Sequence, residues 1–352
     1  MNRRLWFCPL ALGSLMLVSC GQETAPTEAA PVGEEPLTAA SAAVAGGTWT
    51  TKAPMPTPRW HLAAGVQNNS LGQPVLYAMG GFNPNCCLTR AVEAYNFATN
   101  RWTARAPLRL ALMFTNGVGN IGGKLYLSGG LWEAADGRSG FHPGLHIYDP
   151  VRNTWTQGAD MPQRTAAGIT GVINGKLYVL AGTCNNCGPQ RRIRRLYRYD
   201  PATNIWTSLP WSPNRHATGA GGVINGKFYV AGGSDSDGRP SNKLDVYDPA
   251  TNRWTTLAPM PTARSGTAGA VLQNKLYVVG RNNAEPGERQ GEVEAYNPAT
   301  NTWATHTPMP GAGRGDHAAA RVTYQGRSHM IAVGGTDVEG SGAGDANQVF
   351  TP

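Results

Sequence analysis

Two stretches decide the fold: Ile224-Asn225-Gly226-Lys227-Phe228-Tyr229-Val230-Ala231-Gly232-Gly233 and, after a short variable segment, Tyr247-Asp248-Pro249-Ala250-Thr251-Asn252-Arg253-Trp254. Asn-Gly accepts the positive φ of a type I′ turn, so Ile224 and Lys227 stand at the facing ends of a hairpin. The second hairpin strand carries Tyr229 and stops at the glycine pair. A third strand ends at Tyr247, and the Asp-Pro turn leads into a fourth strand that holds Trp254. Four short strands separated by turn residues make one small antiparallel sheet.

The same unit is written six times. Trp49, Trp102, Trp155, Trp206, Trp254 and Trp303 are spaced by 53, 53, 51, 48 and 49 residues, and the chain ends 49 after the last. A period near fifty is a repeat architecture. Each unit opens on a proline turn such as Pro54-Met55-Pro56 or Pro259-Met260-Pro261 and continues into small residues, as in Ala63-Ala64-Gly65, Ala268-Gly269-Ala270 and Ala318-Ala319-Ala320. Such residues suit strands crowded round a narrow axis. The second strands carry Tyr77, Tyr126, Tyr178, Tyr229 and Tyr277, and the third strands end at Tyr95, Tyr148, Tyr199, Tyr247 and Tyr296. Departures are local: the glycine pair is reduced to Ala181-Gly182 and to Gly280-Arg281, and Ile331 replaces a tyrosine. The last unit has strands near His317 to Val322, Met330 to Val333 and Gln348 to Phe350 but no Trp strand, whereas Thr48-Trp49-Thr50 is a Trp strand with no sheet. Joined, they complete the sixth sheet and leave no open edge there.

Four strands per fifty residues, with glycine, tyrosine and tryptophan in constant phase, resemble the kelch repeat over residues 48–352. The resemblance implies an all-β fold, a six-bladed kelch-type β-propeller whose last blade is closed by the N-terminal Trp strand. Composition agrees. The chain has 45 Gly and 26 Pro in 352 residues, too few for low-complexity disorder and without the three-residue period of collagen. Beyond the N-terminal segment no apolar run reaches the roughly 18 residues of a membrane span.

Residues 1–20 have the layout of a secretory signal: Asn2-Arg3-Arg4, an apolar stretch from Leu5 to Val18, then Leu17-Val18-Ser19-Cys20. That ending resembles the bacterial lipobox, which implies lipidation of Cys20. Residues 21–47 are mostly Ala, Pro, Thr and Gly with Glu23, Glu28, Glu34 and Glu35, and read as a flexible acidic tether. Gly21 is not the Asp retention signal, so the expected location is extracytoplasmic, at the outer membrane if the host has one, with the membrane touched through a lipid anchor only. Residues 48–352 keep 28 Lys and Arg against 18 Asp and Glu, a net charge of +10.

In a propeller, the loops between strands two and three and those linking successive blades share one face, the expected binding face. Arg59, Arg109, Arg164, Arg215, Arg264 and Arg314 stand one per unit at the entry to the first strands. They either ring the channel mouth, where their forks would take an anionic ligand, or bond carbonyls and acidic side chains and lock the blades. Arg191, Arg192, Arg194, Arg195 and Arg198 add a basic edge in the third unit, either a solvated surface or a contact for an acidic partner. Cys86, Cys87, Cys184 and Cys187 are disulfide candidates, since an even number in an exported chain favours pairing. A four-thiolate zinc site is the rival.

Catalytic signatures are weak. Asp316 and His317 are adjacent, so on a strand they point to opposite faces. His142 and His146 are interrupted by Pro143-Gly144, which breaks the helix that would align them for zinc. Asp235-Ser236-Asp237-Gly238 starts like a calcium loop, but Val246 stands where the twelfth-position acid is needed. Galactose oxidase resembles the chain in its kelch-type blades, but its copper ligands have no matching motifs. The periplasmic sialic acid mutarotases resemble it in blade count and export. The expectation is a monomeric, non-catalytic propeller, without cofactor or metal, that binds a protein or an anionic glycan and no nucleic acid. An enzyme acting on a sugar, mutarotase-like or galactose oxidase-like, is the alternative.

Overall fold

The computed structural model describes residues 45–134, 136, 138–184, 193–280, 291–310, 314–336 and 344–352. Cys20 with residues 1–19, the expected tether up to residue 44, Arg191, Arg192 and Cys187 lie outside the described residues. Within them the chain forms six four-stranded antiparallel sheets and two short hairpins, and every element is a strand. Blade 1 is Ala63–Asn68, Pro74–Met79, Val92–Asn96 and Arg101–Ala104. Blade 2 is Val118–Ile121, Lys124–Ser128, Leu145–Asp149 and Thr154–Gly158; blade 3 is Ile169–Ile173, Lys176–Leu180, Arg195–Asp200 and Ile205–Trp211. Blade 4 is Ala220–Ile224, Lys227–Ala231, Leu244–Asp248 and Arg253–Leu257; blade 5 is Ala268–Leu272, Lys275–Val279, Val293–Asn297 and Thr302–His306. Blade 6 takes Ala318–Tyr324, Arg327–Val333 and Asn347–Thr351 from the end of the chain and Thr48–Thr51 from its start.

The six-bladed, all-β propeller is thus present, and its closure is the expected one. Trp49 pairs with Phe350 and Thr48 with Thr351, so Thr48–Thr51 is the outer strand of blade 6. The first strands contact one another in sequence round the ring, blade 6 touching blades 5 and 1. Their small residues make that approach possible. A Cβ on Gly119 would lie 2.2 Å from Leu177 Cδ1 of blade 3, and one on Gly222 2.4 Å from Val271 of blade 5. Six buried clusters fill the seams, one between each pair of neighbours. Val75, Tyr77 and Met79 pack on Leu125 and Leu127 across the first seam, and Met330, Ala332 and Phe350 on Tyr277 and Val279 across the last.

The repeated Tyr, Asn and Trp form a latch between blades. Asn100, Asn153, Asn204, Asn252 and Asn301 adopt φ of 53–58°, a left-handed conformation that Asn tolerates better than most residues. Each Oδ1 accepts the hydroxyl of its own blade's third-strand tyrosine at 2.6–2.7 Å. In four blades the same oxygen accepts the N–H of the residue leaving the preceding blade: Ala53, Ala106, Ala159 or Ala258. The Trp indole then donates to the carbonyl of that residue at 2.8–2.9 Å. In blade 4 the corresponding residue is Pro210, which has no N–H, and only the Trp254 bond to its carbonyl is made, at 3.1 Å. Trp49 donates to Thr307 O in the same way, so the closing strand docks on blade 5 as every other Trp strand docks on its predecessor.

The glycine pairs form a second joint. Gly80 and Gly81 take φ of 61° and 101°, and Gly81 N–H reaches Leu112 O at the entry to blade 2. Gly130, Gly233 and Gly335 repeat this toward Thr165, Arg264 and Arg59.

Candidate binding face and channel mouth

One residue per blade lies where the chain turns from the inter-blade loop into the first strand: His61, Phe114, Ala167, Thr218, Gly266 and Asp316. All six are left-handed, with φ between 52° and 65°. Their main chains close a ring of hydrogen bonds round the channel. His61 N–H donates to Asp316 O, Phe114 to His61 O, Ala167 to Phe114 O and Thr218 to Ala167 O, at 2.6–3.0 Å. Thr267 N–H donates to Thr218 O and Asp316 N–H to Gly266 O, both at 3.1 Å.

Below this ring lies a cavity of about 350 Å³, walled largely by the small residues and backbone of the first strands. Its mouth is asymmetric. The His61 imidazole stacks on Phe114 with ring centroids 3.6 Å apart, and His61 Nδ1 lies 3.5 Å from Asp316 Oδ1. Asp316 therefore faces a histidine of the neighbouring blade, and the adjacent His317 is buried in the wall with both ring nitrogens lacking a hydrogen-bond partner. Burial, with the Arg314 charge adding to it, pushes the His317 imidazole down to about 3.

In three blades the arginines take the second of the two expected arrangements, bonding carbonyls and side-chain acceptors. Arg59 and Arg264 are 0% exposed and Arg314 8%. Arg59 donates to Ala78 O at 3.1 Å and pairs with Glu93 at 3.0 Å. Arg264 bonds Gly280 O, Glu292 O and the Glu294 carboxylate. Arg314 bonds Gly334 O and Gln348 Oε1. These side chains turn into their own blades rather than toward the mouth. Burial lowers the Arg59 guanidinium to about 10 although Glu93 opposes it, and it lowers Arg314 to about 10 against the opposing charge of Asp345. Arg109 and Arg164 are exposed and donate to Trp155 O and Phe141 O, and Arg215 is half-buried.

The acceptor position is what the sequence reading missed. It lies two residues before the third-strand aromatic: Glu93, His146, Tyr197, Asp245, Glu294 and Gln348. Where it is Glu or Gln, the arginine turns in. In blade 4 it is Asp245, which collects His216 Nε2, Ser212, Asn214 and Thr256. Burial alone would raise the Asp245 carboxyl, but the hydrogen bond and charge of His216, with Thr256 and Ser212, hold it at about 2. In blade 2 it is His146, whose Nε2 lies 3.1 Å from His142 Nε2. The Pro143-Gly144 loop thus brings the two histidines together without a helix. Burial and the charges of His142 and Arg109 lower His146 to about 4, with Asp160 opposing.

The binding face carries two extra hairpins, Phe82–Asn83 with Cys87–Leu88 on blade 1 and Leu131–Glu133 with Ser139–Phe141 on blade 2. Cys86 and Cys87 are exposed free thiols with sulfurs 2.9 Å apart, so the disulfide expected of them is not made here. Adjacent residues hold their Cα atoms about 3.8 Å apart, closer than the usual disulfide span. Cys184 is disulfide-bonded and 1% exposed. No group of three or more metal-ligating side chains occurs among the described residues. Asp235 is the acceptor of a turn, bonded by the N–H groups of Asp237 and Arg239.

On blade 3 the outer strand runs on to Trp211, which is 50% exposed. The Arg195 guanidinium lies 4.6 Å from its ring centre and that of Arg194 6.0 Å. Arg194 is held by Ser212 O and Pro213 O, and a β-bulge between Arg195 and Tyr197 turns the strand end.

The kelch-repeats domain of KLHDC2, KLHL20 and DRC7 matches residues 168–347, just over half of the chain, and the kelch motif matches residues 73–109 and 116–162. Kelch-like protein terF of Aspergillus terreus is 28% identical over 231 residues, 63% of this chain and 47% of that protein. Kelch-like protein 35 of Mus musculus is 28% identical over 201 residues, 56% of this chain and 31% of that protein. The chain thus spans less than half the length of these relatives. The solved structure of YjhT superposes with a TM-score of 0.68 at 18% identity, covering 83% of this chain and 95% of that one, which is a likeness of fold.

Proposed function

Because this chain belongs to the kelch-repeat proteins, we propose that it is a non-catalytic binding propeller whose loop face engages a protein partner, carried outside the cytoplasm on a lipid anchor at Cys20. Trp211 with Arg194 and Arg195 carries the reading. Exposed tryptophan and arginine are the residue types that dominate protein interfaces, and two guanidiniums over an indole fix the aromatic in place. A net charge of +10 on residues 48–352 favours an acidic epitope and would speed its approach. The anchor is supported by Leu17-Val18-Ser19-Cys20 and by the polar, core-less segment after it.

The test is crosslinking in the native host, comparing the wild type with Trp211→Ala/Arg195→Ala. Loss of a central aromatic anchor costs about 2 kcal/mol or more, roughly a thirtyfold loss of the crosslinked partner. Equal recovery with the double variant would place the interface elsewhere. In the same cells Cys20→Ser should move the chain from the membrane to the soluble fraction, and unchanged fractionation would refute the anchor.

A further inference from the structure

We propose that the channel mouth is a separate binding site for an uncharged sugar ring. The six left-handed positions supply an internal control. Blade 5 has Gly266 there, and its carbonyl serves the hydrogen-bond ring as the others do, so the fold requires the backbone conformation and not a side chain. Glycine adopts φ near +60° without cost, whereas a bulky residue such as phenylalanine is a genuine outlier. Phe114 nonetheless holds φ of 52°, next to His61 at 53° and Asp316 at 57°. Strain kept at Phe114, where glycine would serve, points to a use for that side chain, His and Asp tolerating the conformation better.

These three side chains form a contiguous arc. Asp316 contacts His61 and His61 stacks on Phe114, while the remaining arc is Ala167, Thr218 and Gly266. A bulky half and a small half make the mouth of the cavity one-sided, and its volume of about 350 Å³ is within the range of small-ligand sites.

The chemistry selects the ligand class. A sugar ring offers an apolar C–H face, which packs on an aromatic, and a rim of hydroxyls. A carboxylate accepts from hydroxyl donors through two oxygens, and an imidazole can donate or accept. Phe114, Asp316 and His61 supply these three features. The charge lining the mouth disfavours the acidic sugars. Arg59, Arg264 and Arg314 are turned away, Asp316 stands at the mouth, and the one guanidinium lining the cavity among the described residues, Arg321, bonds Ser328 beside the hairpin at the opposite end.

The experiment is ligand-observed NMR on the full chain with methyl glucoside, methyl galactoside and methyl mannoside, the matching uronic acids and the 2-amino sugars. At least one neutral glycoside should bind in the millimolar range, with the corresponding uronate at least tenfold weaker. Phe114→Gly and Asp316→Asn should each weaken binding tenfold or more. Phe114→Gly should leave the melting temperature within about 3 °C of wild type, because relief of left-handed strain offsets the lost stacking. The proposal is overturned if no neutral glycoside binds, if a uronate or amino sugar binds more tightly, or if Phe114→Gly melts as low as a core truncation such as Leu177→Ala.

Discussion

At the scale of single residues, the most informative side chain is the asparagine of the turn before each tryptophan. In Asn153, one oxygen ends the hydroxyl of Tyr148 and the N–H of Ala106 while the backbone holds φ of 54°. Asn153→Ala loses both bonds and keeps the strained backbone, so urea denaturation should show a loss of about 2–3 kcal/mol. Asn153→Gly loses the bonds but not the conformation and should recover about 1 kcal/mol of that. Equal losses for the two variants would show that the backbone conformation contributes nothing. The recurrence of Tyr and Trp was read from the sequence, but the Asn between them and its role were not, because the partners Ala53, Ala106, Ala159 and Ala258 are unremarkable alanines some 45 to 50 residues away. The arginines left two readings open for a similar reason. Whether one turns inward depends on a residue about thirty positions downstream, as Glu93 is from Arg59 and Glu294 from Arg264.

At the scale of the strand, periodicity and turn chemistry carried almost everything. The Asn-Gly hairpins, the strand ends at glycine pairs and the split sixth blade all follow from local rules, and the ladder between Thr48–Thr51 and Asn347–Thr351 is the expected one. Deleting residues 48–52 removes four residue pairs, the Trp49 bond to Thr307 and the Trp49 packing on Phe350, whose rings are 5.1 Å apart. The melting temperature should fall by roughly 5 °C or more, since each kcal/mol lost shifts a chain of this size by about 1.5–2 °C. An unchanged transition in calorimetry would refute closure by this strand. What strand rules could not show was the channel mouth, because one residue per blade in a left-handed turn leaves no periodic mark.

For the whole molecule, the buried histidines set the acid limit. His146 near 4 and His317 near 3 lie below the usual histidine value of 6.5. Between those values the unfolded chain binds protons that the folded one does not. Their stabilisation is therefore complete above about pH 6.5 and is lost as pH falls toward 4 and 3 respectively. Each group gives a slope of about 1.4 kcal/mol per pH unit in its window. Asp245 extends the loss from about 3.8 down to about 2. Denaturation series should show stability declining from pH 6.5 downward, and His317→Leu should shallow the slope. A flat wild-type profile between pH 6.5 and 4 would contradict these placements.

The segment leading into the closing strand also has a mechanical meaning. Ala45 N–H donates to Thr305 O and Gly46 O meets His306 Nδ1 on blade 5, and two residues later Thr48 begins the outer strand of blade 6. The chain thus lies as a strap across the seam between these two blades. Any tension arriving from the N-terminal side is met first by the blade 5 bonds and only then by the ladder that keeps the ring shut. A pull from that side would be borne at the one seam where the circle was joined, with blade 5 as its strain relief.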